Sequence, residues 1–111
     1  LESFVVNSGS KIAATAVVNI SRHGETLQGV AAGSGPIDAA FTAISNVVGL
    51  EGYALENYSI QSVTEGEDAL GEVSVRLQKG NQTVTGRGLS TDIIEASIKA
   101  YLNAINKVLA G

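Results

Sequence analysis

Cysteine is absent from these 111 residues, so neither a disulfide framework nor thiolate metal chemistry is available to the chain. Histidine occurs once, at His23. With its sequence neighbours it cannot assemble a zinc site, and no nucleophile pattern such as G-x-S-x-G accompanies it. The expectation for His23 is a solvated turn residue, and catalysis finds little to work with. Positive charge is scarce: 7 Lys and Arg against 11 Asp and Glu give a net charge of −4. Nucleic-acid binding needs a basic face to neutralise phosphates, so it is not expected. Charged or strongly polar residues interrupt every apolar run well short of about 18 residues, which excludes a helical membrane span. No signal-peptide pattern precedes the strand-like sequence, which starts at Leu1 and not at Met; the chain reads as a piece of something longer, with the cytoplasm as its expected compartment. A chain of this length makes one domain and buries roughly two thirds of its unfolded surface, so further burial has to come from a partner.

What the chain does have is a repeat. Shifted by the interval from Val6 to Val63, it lies over itself without a gap, pairing Gly9 with Gly66, Val18 with Val75, Thr26 with Thr83 and Gly29 with Gly86. Ile37, Ala39, Ala43 and Asn46 meet Ile94, Ala96, Ala100 and Asn103 in the same way. The alternation of Ile12, Ala14, Ala16, Val18 and Ile20 recurs in Ala69, Gly71, Val73, Val75 and Leu77. One supersecondary unit used twice implies a pseudo-twofold and two similar crevices.

Within the first unit, 1–49, Phe4–Asn7, Ile12–Ser21 and Thr26–Ala32 read as strands, with turns at Asn7-Ser8-Gly9-Ser10 and Arg22-His23-Gly24-Glu25. Gly33-Ser34-Gly35 ends the sheet. The only proline, Pro36, suits the first turn of a helix that runs to about Val48 and closes at Gly49. A connector, 50–57, leads to the second unit, 58–111. There the strands are Tyr58–Thr64, Leu70–Lys79 and Thr83–Gly88, with a Gly80-Asn81 turn. The last helix opens with Ser90-Thr91-Asp92 and Glu95, which offer capping oxygens and first-turn negative charge, and it runs to about Leu109. The expected fold is α+β: duplicated βββα units with antiparallel sheets packed on two helices.

Both helices carry an unusually wide apolar face. Asp92, Glu95, Lys99, Asn103 and Asn106 form one narrow polar stripe, as do Asp38, Thr42, Ser45 and Asn46. A helix on one sheet needs an apolar face of roughly a third of its circumference, so a second packing partner is expected. Helices of another subunit are the favoured partner, with Ala39, Ala43, Ala96 and Ala100 allowing close approach. The alternative is that the two helices pack on each other within one chain.

Glu65, Glu67 and Asp68 form an acidic cluster whose oxygens suit hard cations, but no EF-hand spacing accompanies it, and a solvated loop is the favoured reading. Gly29, Gly33 and Gly35 before a helix start are compatible with an anion cradle or with a plain strand-to-helix turn. Neither G-x-G-x-x-G nor a Gly-Lys-Ser/Thr loop is present. Gly86-Arg87-Gly88-Leu89-Ser90-Thr91-Asp92 is the counterpart in the second unit. Two such helix starts with aliphatic walls suit a small zwitterion.

Three stretches carry a resemblance. Gly33-Ser34-Gly35-Pro36-Ile37-Asp38-Ala39-Ala40 is the first, and Tyr58–Thr64 with Gly66–Val73 is the second. Gly88–Ser97 with Lys99–Ala104 is the third. Together they resemble the C-terminal regulatory domain shared by 2-isopropylmalate synthases and citramalate synthases, over essentially the whole chain.

The resemblance implies a leucine-sensing, dimerising module, a homodimer, appended to a TIM-barrel acyltransferase that condenses acetyl-CoA with 2-oxoisovalerate. The divalent metal and acetyl-CoA would belong to that barrel, leaving this chain without cofactor or catalytic residues. By motif, the ligand loop would be Gly33, Ser34, Gly35, Pro36 and Ile37. The facing wall would be Leu55, Tyr58, Ser62, Ala69 and Gly71, with Leu89, Ser90 and Thr91 at the second helix start. Isoleucine sensing, as in a citramalate synthase, and a structural dimerisation module without ligand response are the alternatives.

Overall fold

Three strands and a helix form twice along the chain, and the reason is the pairing of β-branched alternating segments with turn residues that accept positive φ. The computed structural model describes residues 3–9, 12–49, 52–62 and 70–110. Strands β1 (Ser3–Gly9), β2 (Ile12–Arg22) and β3 (Glu25–Gly33) make an antiparallel sheet in that order, followed by α1 (Pro36–Val48). Strands β4 (Ala54–Ser62), β5 (Gly71–Lys79) and β6 (Gln82–Ser90) make a second, followed by α2 (Ile93–Ala110). The chain divides into two units, Leu1–Glu51 and Gly52–Gly111. The expected α+β class and duplicated βββα order are those observed.

The β2–β3 hairpin closes on the Arg22↔Glu25 pair. His23 (φ 52) and Gly24 (φ 81) both occupy the left-handed region there, as a type I′ turn requires, and its twist matches that of the strands. His23 is exposed, in keeping with a solvated turn residue. Gly49 closes α1 in the left-handed conformation and donates its amide to the Ser45 carbonyl at 3.0 Å.

Strand β4 departs from expectation. It begins at Ala54, inside the stretch read as connector, and its register against β5 slips between Leu55 and Asn57. That bulge puts Leu55 and Tyr58, three residues apart, on the same face, and a bulged segment lacks the period-2 signature that marks a strand. Val63, Thr64 and the acidic cluster Glu65, Glu67 and Asp68 lie outside the described residues.

Each sheet turns one face to its helix. Ala14, Ala16, Val18 and Ile20 of β2 and Val73, Val75 and Leu77 of β5 are buried on that face. Helix α1 reaches all three strands of its sheet, whereas α2 packs over β5 and β6. Both helices sit unusually close to their sheets because the last strand of each unit is glycine-rich on the inner face. A Cβ at Gly29 would collide with the Ala43 carbonyl, one at Gly86 with the Ala100 carbonyl and the Ala104 amide, and one at Gly88 with the Ala96 carbonyl.

This overturns the reading of Ala39, Ala43, Ala96 and Ala100 as an inter-subunit contact. Their small size lets each helix backbone rest on its own sheet, and all four are fully buried. The buried arc of each helix is nevertheless wide. From Ala96 to Ile98 on α2, and from Ala39 to Phe41 on α1, it spans roughly 200° at 100° per residue.

Two polar side chains of α2 serve the sheet edge. Asn103 Oδ1 accepts the Arg87 amide at 3.1 Å, and Lys107 Nζ donates to the Thr85 carbonyl at 2.7 Å. Both bonds occupy backbone groups of the edge strand β6 that would otherwise be open to another strand.

The close helix approach makes a prediction. Gly86→Ala forces backbone against backbone and should destabilise the chain by about 1–3 kcal/mol in denaturant unfolding. Gly35, with extended φ and open space around its Cα, should accept Ala within about 0.5 kcal/mol. Equal effects of the two substitutions would contradict the packing.

Candidate functional site

The first unit presents the loop that joins β3 to α1. Gly33 ends the strand pressed against the helix: a Cβ there would meet the Asp38 carboxylate and the Ala39 amide. Gly35 is the N-cap in extended conformation and Pro36 is the first helical residue, so one amide donor is absent by chemistry. No side chain caps the helix at Gly35. Instead Asp38 Oδ2 reaches back over the loop, accepting the Ser34 amide at 3.0 Å and lying 3.4 Å from Ser34 Oγ. The positive end of the helix and a carboxylate thus share one exposed loop. The Ser34 amide is therefore already engaged, by a negative group that lies beside the helix start.

The second unit presents the start of α2 and the helix side of β4. Asp92 caps α2: its Oδ1 accepts the Ile94 amide at 2.9 Å and the Glu95 amide at 3.4 Å. Ser90 is buried, and its Oγ accepts the Asp92 amide at 3.1 Å. Thr91 is exposed beside them. Two of the free amides of this helix start are therefore satisfied by the chain itself.

Register places Leu55, Tyr58, Ser62 and Gly71 on one face, since Leu55 pairs with Leu77, Tyr58 with Val75 and Ser62 with Gly71. This is the face that carries buried Val73, Val75 and Leu77. Gly71 makes room for Ile93, whose Cδ1 would lie 2.6 Å from an added Cβ. Leu89 pairs with Glu72 on the opposite face of the sheet, so the structure does not bring it together with that wall. The Ser62 side chain and all of Ala69 lie outside the described residues.

Three residues join these groups that the sequence reading did not select for the site. Asp38 belongs to the polar stripe and to the first resembling stretch, and its position in the first helical turn is where a carboxylate folds back over a loop. Ile60 pairs with Val73 and shares the Tyr58 face, which the alternation Tyr58, Ile60, Ser62 already signals. Ser97 lies 2.6 Å from the Tyr58 hydroxyl, and its signal is that it is the one serine amid the apolar residues of α2. Leu55 and Ile60 remain 49 % and 52 % exposed, because α2 does not extend over β4.

Elsewhere in the second unit a cavity of about 300 Å³ is lined by Tyr53, Gln82, Thr83, Val84, Lys107 and Val108. It lies at the other end of α2 from Ser90 and shares no residue with the groups above. Among the described residues, no three His, Cys, Asp or Glu gather as metal ligands, and no helix is long and apolar enough to cross a membrane.

The family described as the LeuA allosteric (dimerisation) domain matches residues 1–109. A 2-isopropylmalate synthase of Carboxydothermus hydrogenoformans is 54% identical over 110 residues, covering 98% of this chain and 21% of the relative. One of Ruminiclostridium cellulolyticum is 47% identical over 110 residues, covering 99% and 22%. One of Heliobacterium modesticaldum is 46% identical over 109 residues, covering 98% and 21%. The chain thus spans about a fifth of the length of these relatives. It belongs to the LeuA allosteric (dimerisation) domain family.

Proposed function

We propose that this chain is the leucine-sensing and dimerising domain of a 2-isopropylmalate synthase, whose barrel condenses acetyl-CoA with 2-oxoisovalerate. The observation that carries the reading is the family match over residues 1–109, together with the three relatives above, each named 2-isopropylmalate synthase. Leucine is favoured over isoleucine on the same ground. The metal and acetyl-CoA belong to the catalytic part of such an enzyme, and this chain contributes regulation.

The residues assigned to the effector are Gly33, Ser34, Gly35, Pro36 and Ile37 in the first unit, joined by Asp38. In the second they are Leu55, Tyr58, Ser62, Ala69 and Gly71 with Ser90 and Thr91. The charges of the first loop support this. A free amino acid is a zwitterion, and a positive helix end beside the Asp38 carboxylate offers a partner for each of its charges. Leu55 and Ile60 supply apolar surface for a branched side chain.

Exposed Leu55 and Ile60 also support the homodimer. Two aliphatic side chains about half exposed on the inner face of an edge strand are surface that a second copy can cover. Sedimentation at micromolar concentration should show a dimer. Ile60→Glu, at an exposed position that tolerates substitution in the folded chain, should shift it toward monomer. A wild-type chain that sediments as a monomer at every concentration contradicts the proposal.

Leucine at a hundredfold its Kd should stabilise the chain by about 2.7 kcal/mol, raising Tm by on the order of 10 °C for a domain of this size. A shift with isoleucine and none with leucine would assign the chain to a citramalate synthase. No shift with any branched amino acid would leave a structural dimerisation module.

Gly35→Asp should abolish the leucine response while leaving the fold in place. The position has open space for a side chain, and a carboxylate near a helix N-terminus is electrostatically tolerated. A second negative charge beside Asp38 would repel the effector's own. Normal leucine titration by a folded Gly35→Asp variant would exclude this loop from the site.

A further inference from the structure

The cavity of about 300 Å³ at the far end of α2 is walled by helix that the first unit does not have. On the interval that lays one unit over the other, Ile105 corresponds to Val48, the last residue of α1, so Lys107 and Val108 stand beyond the point where α1 ends. Helix α2 runs on to Ala110, and these added residues face Gln82, Thr83 and Val84 at the start of β6. Tyr53, just before β4, completes the lining.

The polar groups around this space are mainly donors. Tyr53 Oη donates to Gln82 Oε1 at 3.2 Å, which leaves the two protons of the Gln82 side-chain nitrogen to offer. Lys107 Nζ gives one of its protons to the Thr85 carbonyl at 2.7 Å and has two more. A second ammonium, Lys79 Nζ, lies 5.6 Å from the centroid of the Tyr53 ring. Gly52 makes room for that lysine: its φ is 80, and an added Cβ would come within 2.9 Å of Lys79 Cε, so the position favours glycine on both counts. No carboxylate lines the cavity, and among the described residues neither lysine is paired with one. In a chain of net charge −4 this is a local excess of positive charge. The negative end of α2 accounts for one cation in its last turn, but not for Lys79 at the end of β5.

We propose that this cavity binds a small organic carboxylate that has no ammonium group. Its carboxylate accepts from Lys107 Nζ and the Gln82 amide, and a short aliphatic chain lies against Val84, Val108 and the Tyr53 ring. The volume is at the lower end for ligand pockets and suits about five or six carbons. Two cations without an acidic partner repel the ammonium of a free amino acid, whereas the loop that opens α1 has Asp38 to receive one. The inference does not rest on the effector reading above.

Amide spectra of the isotopically labelled chain, recorded through a titration with 4-methylpentanoate, test it; this compound is leucine without its ammonium group. The amides of Gln82, Thr83, Val84, Lys107 and Val108 should move along one saturation curve, and leucine at equal concentration should leave them in place. Acetate and inorganic phosphate carry charge without the chain, and 4-methylpentanamide carries the chain without the charge. Each should bind at least about tenfold more weakly. Lys107→Met, at an exposed position, should fold and bind 4-methylpentanoate about tenfold more weakly, whereas Lys107→Arg should keep most of the affinity. The proposal is overturned by the lack of a saturable response up to about 10 mM, by equal shifts with acetate or phosphate, or by wild-type affinity in Lys107→Met. A chain that takes 4-methylpentanoate here and responds to no branched amino acid keeps this inference and loses the effector reading.

Discussion

Everything in each unit depends on a helix backbone lying directly on a strand backbone. Gly29 and Gly33 on β3, and Gly86 and Gly88 on β6, remove the Cβ atoms that would hold the helix away, and alanines on the facing turns do the same from the other side. The close approach has two consequences for function. It holds the start of α1 against the end of the strand before it, where Gly33 lies against Asp38 and Ala39. It also uses up the small residues of the helices, leaving larger side chains such as Ile98, Tyr101 and Ile105 to fill the rest of a buried arc that is wide for one sheet.

The two units share this frame and differ in what they add to it. In the first unit α1 reaches all three strands. In the second, α2 leaves β4 uncovered, a bulge turns Leu55 to the same face as Tyr58, and a hydroxyl pair bridges the opening. The helix starts differ too, one capped by Asp92 on its own amides and the other uncapped at Gly35 with Asp38 reaching back. Duplication supplied a stable packing solution, and the departures from it collect on the residues assigned here to effector binding. That is where local consistency is expected to give way to function.

Much of this was legible in the sequence because it rests on local chemistry. Pro36 and Asp92 mark where the helices begin, Gly49 where the first ends, and the alternation around Val18 and Val75 marks the central strands. The start of β4 was not legible, because a bulge destroys the period-2 pattern on which strand recognition depends. The role of the alanines was not legible either. A stripe of small residues shows that something comes close, and only the register of β3 and β6 shows that the neighbour is the chain's own sheet. Asp38 and Ser97 escaped selection for a related reason. Each acts by a contact across a loop or between elements, so its place in the helix marks it while its partner stays hidden. The site assignment itself came from resemblance, and the geometry gathers Leu55, Tyr58, Ser62 and Gly71 on one face while setting Leu89 on the other.

The central proposal is that the effector meets the loop that opens α1. Amide spectra of the isotopically labelled chain, recorded through a leucine titration, test it residue by residue. The account predicts that the amides of Gly33, Ser34, Gly35 and Ile37 move along one saturation curve. The hairpin ends at His23-Gly24 and Gly80-Asn81 should stay in place. A saturable response confined to the cavity around Tyr53, Thr83 and Lys107, with the Gly33–Ile37 amides unmoved, would contradict it.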